Sequence, residues 1–147
     1  MITILLIIGF AIIFILGRRS GYGKPVSPDL WKPVDDLVPS LSRFRDLDPV
    51  TYVRFENELE SAKKEMINPD VTVLKGVSLE RSGRHLRRAV DEFSTLAGSL
   101  PSGDSVYHDE IADLAVTLAI TGERALLDAA EETKQSFTPR LLNALID

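Results

Sequence analysis

The sequence contains no cysteine, only two histidines and a single tryptophan among its 147 residues. Without cysteine the chain cannot form disulfides, thiolate metal sites or a thiol nucleophile. Two histidines leave little material for imidazole chemistry, and the sequence has neither a nucleophile-elbow motif nor a glycine-rich phosphate loop. These absences argue against an enzyme. We predict no catalytic residue, cofactor, metal ion or small-molecule substrate.

One short run contains residue types that bind metals, namely His108, Asp109, Glu110 and Asp113. His108 and Asp113 are five positions apart, which places them on different faces of a helix, and no second histidine lies nearby. Acidic side chains in the first turn of a helix are already favoured by the helix dipole. We therefore interpret this run as the start of a helix and not as a metal site.

The first seventeen residues carry no ionisable side chain, and twelve of them are Ile, Leu or Phe. As a helix this run spans roughly 25 Å, at the short end of what crosses a bilayer. Its apolar side chains favour insertion by roughly 4–7 kcal/mol. A cleaved signal peptide would carry positive charge before the run and a small-x-small site after it, but here Arg18 and Arg19 follow. Residues 1–19 are predicted to form a transmembrane anchor.

The orientation of this anchor follows from its flanking charges. Four basic residues lie within about 15 positions of its C-terminal end, where the positive-inside rule counts them; they are Arg18, Arg19, Lys24 and Lys32. The rule predicts an N-terminus outside the cell or in a lumen, and a cytosolic domain. The absence of cysteine agrees with a reducing compartment.

Residues 20–47 contain half of the eight prolines and predict an arm between the anchor and the domain. Prolines five or six positions apart prevent a long helix and favour extended or single-turn segments. Fully extended, the arm would reach roughly 80 Å. Apolar residues are interleaved with the prolines, and two interpretations follow. The arm packs on its own domain, or it docks on a partner through Trp31, Leu37 and Phe44.

Residues 48–147 show the periodicity of a helical bundle. Asp48 and Pro49 are typical of a helix start, and Asn68-Pro69 of a helix end. The first apolar stripe consists of Tyr52, Phe55, Leu59, Ala62 and Met66. A second stripe consists of Leu79, Leu86, Val90, Phe93 and Ala97.

A third helix is predicted from Asp104 or Ser105 to Ala129, with small residues that allow a neighbouring helix to approach closely. These small residues are Ala115, Ala119, Gly122, Ala125 and Ala129. Thr138-Pro139 predicts the start of a last, short helix. The predicted fold is all-α: a transmembrane helix, a proline-rich extended arm, and an antiparallel bundle of three long helices plus a short C-terminal helix.

The basic residues cluster in one place, at Arg81, Arg84, His85, Arg87 and Arg88. Arg81, Arg84 and Arg88 share a helix face that suits an anionic surface such as lipid headgroups or nucleic acid. Acidic residues four positions away would neutralise the cluster through Glu80–Arg84, Arg87–Asp91 and Arg88–Glu92 pairs. We favour the neutralised, solvated face and expect no nucleic-acid partner.

Several short runs resemble small single-pass membrane proteins of nucleocytoplasmic large DNA viruses, particularly those that infect algae. These runs are Phe55-Glu56-Asn57-Glu58-Leu59-Glu60, His85-Leu86-Arg87-Arg88-Ala89-Val90, the Pro-Ser-Gly-Asp turn at 101–104, Gly122-Glu123-Arg124, and Ser136-Phe137-Thr138-Pro139-Arg140-Leu141-Leu142-Asn143. The resemblance covers roughly residues 50–145. It implies a minor capsid or virion membrane protein that ties the internal membrane to the capsid shell, with other capsid proteins as partners. It implies no catalytic residue.

Two other classes of function remain open from the sequence. The chain could be a cellular membrane-anchored adaptor, or an accessory subunit of a membrane complex, that binds a partner helix in a groove of the bundle. It could also be a membrane-tethered enzyme, which would require a deep polar pocket. We favour the hypothesis of a structural tether between membrane and capsid.

Overall fold

The computed structural model describes residues 26–68, 75–101 and 105–146, with side chains described from 77 in the second range and up to 132 in the third. The described residues form helices and connecting turns, without a strand. Three long helices dominate: α3 (Pro49–Ile67), α4 (Lys75–Thr95) and α5 (Ser105–Ile146). The predicted all-helical bundle is thereby confirmed.

Helix α3 begins and packs as its sequence predicts. Asp48 is the N-cap: the Thr51 amide donates to its Oδ1 at 3.3 Å, and the Thr51 hydroxyl donates to its Oδ2 at 2.7 Å. Pro49 at the first helical position costs nothing, because its missing N–H would be unpaired there. All five residues of the predicted stripe are buried, and the helix ends at Ile67, before Asn68-Pro69.

The long helices pack antiparallel to one another. The Ser82 hydroxyl of α4 donates to the Ala62 carbonyl of α3 at 2.5 Å, which fixes their register. On the other side of α4, a Cβ added at Gly122 of α5 would lie 2.6 Å from Leu86 Cδ2. A larger residue at this position would force the Leu86 side chain to move. The small residues of the third helix therefore mark a tight helix crossing, as predicted.

The proline-rich segment is not extended. Residues 26–47 form a 3₁₀ turn (Pro28–Trp31), two one-turn helices, α1 (Lys32–Asp35) and α2 (Val38–Leu41), and a second 3₁₀ turn (Ser42–Leu47). A proline stands at the first or second position of the first three elements, where it suits a helix start. The extended conformation was therefore wrong for residues 26–47, whereas the single-turn alternative is confirmed: Pro28, Pro33 and Pro39 each begin a helical turn, and no long helix forms there.

The predicted short C-terminal helix does not form as a separate element. Helix α5 runs without interruption from Ser105 to Ile146, through Thr138-Pro139. An interior proline removes one backbone hydrogen bond, but no glycine lies between Gly122 and Pro139 to end the helix earlier. The helix-start signal at Thr138-Pro139 was therefore misread, since the helix continues through this proline.

Candidate functional site

Three arginines of α4 form an exposed row, which we call the arginine face: Arg81, Arg84 and Arg88. Each lies about one helical turn from the next, on the side of α4 opposite the buried Leu86 and Phe93. No ion pair within the described parts of the chain includes any of the three. The row is a positively charged surface on a protein whose net charge is −5.

One of the acids expected to neutralise this face binds elsewhere. Glu92, expected to pair with Arg88, lies 3.4 Å from Arg54 Nε of α3. Arg54 also donates to the Thr51 hydroxyl at 3.1 Å. Glu80–Arg84 and Arg87–Asp91 are not among the ion pairs of the described residues. The expected Arg88–Glu92 pair does not form, because α3 supplies a competing cation for Glu92.

His85 belongs to the same basic cluster in the sequence but bonds to α3 and is not part of the arginine face. Its Nδ1 lies 2.7 Å from Glu58 Oε2 of α3, and both side chains are about half-buried between the two helices. The charge pattern within one helix does not predict this contact or the Arg54–Glu92 pair, because both join α3 and α4. The antiparallel register of the two apolar stripes, read together with the short connection between them, would have brought these residues opposite one another.

The residues predicted to dock on a partner lie in the chain's own core. Trp31 is 1% exposed and Phe44 5%, while Leu37 is partly buried against the same core. The Phe44 ring packs edge-to-face on Phe93 of α4, with centroids 6.1 Å apart. Of the two interpretations of this segment, the structure shows the one in which it packs on its own domain.

Polar contacts hold both ends of the segment to the bundle. At its start, the Val26 amide donates to the Ile67 carbonyl at 3.3 Å, and the Ser27 amide to Glu132 Oε2 at 3.4 Å. Further along, Lys63 lies 3.1 Å from Asp35, and Arg43 pairs with Glu110 of α5. Exposed ion pairs stabilise little. The hydrogen bonds of Val26 and Ser27 nevertheless fix the point where the chain enters the bundle, at the end where α3 terminates.

A cleft of about 130 Å³ separates this segment from α3. Its walls combine aromatic rings with three carboxylates, and it is lined by Trp31, Asp35, Val38, Tyr52, Phe55, Glu56, Leu59 and Glu60. The Tyr52 hydroxyl is buried here without a hydrogen-bond partner among the described residues. Burial raises the pKa of this hydroxyl above its ordinary value of 10. The cleft is too small for most drug-sized ligands.

The histidine of the short acidic run lines an apolar groove between α4 and α5. This groove, of about 160 Å³, is lined by Ser94, Ala97, His108, Ile111, Ala112, Ala115 and Val116. Glu110 is occupied by Arg43, and the described residues contain no group of three or more potential ligands positioned to hold a metal ion. Ile120, half exposed, continues the apolar surface along α5.

The predicted membrane anchor and its flanking residues Arg18 and Arg19 lie outside the described residues. Within the parts of the chain that are described, no helix is both long enough and apolar enough to span a bilayer. No known protein family, curated protein or solved structure matches this chain.

Proposed function

We propose that this chain is a membrane-anchored structural protein of the minor capsid or virion membrane kind, which ties an internal membrane to the protein shell around it. Residues 1–17 would hold the bilayer, because their uninterrupted apolar character is typical of a membrane span. The helical bundle would contact the shell from the cytosolic side. The sequence resemblance suggests the type of assembly, and the point where the chain enters the bundle supports a position close to the membrane.

The entry point of the chain into the bundle is the observation that carries the geometry. Val26 is buried, and its amide is bonded to the Ile67 carbonyl at the end of α3. Only the eight residues from Arg18 to Pro25 then separate the apolar run from the bundle. Eight residues span at most about 28 Å. Under this proposal the end of the bundle at Ile67 stays within about 28 Å of the membrane surface.

This short connection replaces the long reach that an extended arm would have given. The shell contact would then be made by the bundle itself, whose surface offers the apolar groove between α4 and α5 and the exposed Ile120 beside it. Apolar grooves between helices are suited to an amphipathic segment of a partner. A cellular adaptor would use the same groove, so the partner's identity distinguishes the two functions.

Fractionation of virus particles tests the proposal. Detergent removes lipid from purified particles, and protease then digests what is exposed. A structural tether is expected to stay at least partly with the shell after detergent has removed the lipid. It should be released only when the shell itself is dissociated. Recovery with a respiratory or trafficking complex, and never with particles, would instead identify the cellular adaptor.

A second measurement tests the anchor separately. Alkaline carbonate is expected to leave the full chain in the membrane, whereas a variant with charged residues in place of Ile7 and Ile12 should be extracted. An engineered glycosylation site near the C-terminus should stay unmodified, because the bundle faces the cytosol. Extraction of the unmodified sequence, or glycosylation of that site, would contradict the proposed membrane topology.

A further inference from the structure

We infer that the arginine face binds the anionic phospholipid headgroups of the membrane that holds the anchor, so that the bundle lies on its α4 side. This inference rests on the proposed membrane anchoring and deepens it. It names the surface that faces the bilayer and the lipid chemistry that this surface recognises. The evidence is the charge left unpaired on α4, together with the point where the chain enters the bundle.

The first step concerns the unpaired charge. Arg81, Arg84 and Arg88 are exposed, and none forms an ion pair among the described residues. Asp91 is exposed three positions beyond Arg88 but does not pair with it. Two acids nearby, Glu58 and Glu92, bond to His85 and Arg54. The contact between α3 and α4 therefore withdraws the carboxylate of Glu92 from the arginine face.

The second step concerns the chemistry of the guanidinium group. A guanidinium presents a planar fork of N–H donors that matches two oxygens of one phosphate, and it is more weakly hydrated than an ammonium. Arg81 and Arg88 are seven residues apart, which is roughly 10 Å along the helix. Three such groups in a straight row can contact neighbouring headgroups in one plane. Basic residues near an anionic leaflet each contribute to attraction toward it.

The third step places this row close to the bilayer. Ile67 bonds to Val26 and lies level with the first turn of α4, as the Ser82–Ala62 hydrogen bond between the two helices requires. Arg81 is six residues from the start of α4, roughly 9 Å along the axis. The eight-residue connection therefore leaves the bundle at the same end as Arg81. A bundle tilted onto α4 brings both to the membrane surface at once.

The membrane anchor favours lipid over an acidic protein as the ligand of the arginine face. Attraction to a soluble partner would have to overcome the protein's net charge of −5 at each encounter. The anchor instead holds the arginine face permanently within a short distance of the headgroups, at a high effective concentration. The predicted cytosolic orientation also presents this face to the leaflet that carries anionic lipids.

The test uses the full chain in lipid nanodiscs of two compositions, phosphatidylcholine alone and phosphatidylcholine mixed with phosphatidylserine. Because the sequence lacks cysteine, a fluorophore can be placed at a single engineered site. Asp91→Cys labels the α4 side beside the arginine face, and Asp113→Cys labels an exposed position of α5 with the same change of charge. A quencher attached to the lipid headgroups reports which side lies on the membrane.

We expect strong quenching at position 91 and weak quenching at position 113 in discs that contain phosphatidylserine. The difference should be lost in phosphatidylcholine alone and in the variant Arg81→Gln/Arg84→Gln/Arg88→Gln. A matched variant, Lys32→Gln/Lys64→Gln/Arg124→Gln, removes three exposed positive charges elsewhere and should keep the difference. Circular dichroism of both variants confirms that the bundle remains helical.

The outcomes separate this inference from the proposed function. Two results would overturn the membrane-facing role of the arginine face: equal quenching at both positions, or the same quenching with and without phosphatidylserine. Neither result would contradict the proposed anchor. Failure to enter phosphatidylcholine discs would instead reject the anchor. If an acidic protein is the true ligand, quenching should be the same in both lipid compositions. The triple-arginine variant should then lose its association with particles.

Discussion

The proline-rich segment 26–47 and the arginine face of α4 differ in how they use their side chains. The segment has the composition of a spacer, yet it buries Trp31, Leu41 and Phe44 in the core. The arginine face has the sequence of a self-neutralised surface, yet its guanidinium groups are unpaired among the described residues. One region directs its contacts inward, and the other leaves its charged groups exposed.

The difference shows that neighbours in space, and not neighbours in sequence, decide both outcomes. Prolines permit a chain of helical turns once the apolar residues between them have a core to enter. Ion pairs between residues four apart on a helix are weak, so a cation on an adjacent helix can compete for the same carboxylate. Glu92 illustrates this by bonding to Arg54 of α3.

The largest expected effect comes from the core of the segment. Trp31→Ala should destabilise the protein by about 3–5 kcal/mol, because it removes a fully buried aromatic side chain and leaves a cavity. Chemical denaturation followed by circular dichroism measures the loss. Lys32→Ala, at the adjacent exposed position, is the control and should change stability by less than about 0.5 kcal/mol. Similar small effects for both would mean that the segment is a spacer after all.

The helix crossing gives the next effect. Gly122→Val should destabilise by about 1–3 kcal/mol, because its side chain would overlap that of Leu86 and force repacking. Gly98→Ala is the control, since an added Cβ there meets nothing within 4 Å. Adding Leu86→Ala to Gly122→Val should cost less than the two single effects together. Strict additivity would show that the two side chains do not meet.

A smaller effect concerns pH and the start of α3. The hydroxyl and amide of Thr51 donate to Asp48 and hold the pKa of its carboxyl below the usual 3.8. A depressed folded-state pKa stabilises the protein above the unfolded-state value, and this stabilisation is lost as the pH falls through the folded value. Asp48→Asn keeps a capping oxygen without the charge. Thermal melts below pH 4 should therefore fall less steeply for the variant, and parallel curves would contradict the cap's contribution.

The smallest effect is expected at the cleft between the segment and α3. Tyr52→Phe removes a buried hydroxyl that has no partner among the described residues. An unsatisfied buried polar group is costly, so the variant should be as stable as the natural sequence or more stable, by up to about 1 kcal/mol. Urea titration measures the change. A clear loss of stability would reveal a hydrogen bond to this hydroxyl.

Much of the bundle could be predicted from the sequence, because its signals are local. The Asp48 cap, the stripe from Tyr52 to Met66 and the small residues around Gly122 each determine a helix or its packing within a few turns. The fold of the proline-rich segment and the pairing of Glu58 and Glu92 could not be predicted this way. They depend on contacts between elements far apart in sequence, such as the Val26–Ile67 hydrogen bond.

Distance from the membrane is the most direct test of the central claim that the bundle is held close to the bilayer by a short connection. A donor fluorophore at Asn68→Cys, beside the entry point, and acceptors on the headgroups of uncharged vesicles would report it by energy transfer. Because the connection spans at most about 28 Å, we predict strong transfer from the membrane-inserted full chain. Weak transfer from inserted protein would place the bundle far from the bilayer and contradict the claim.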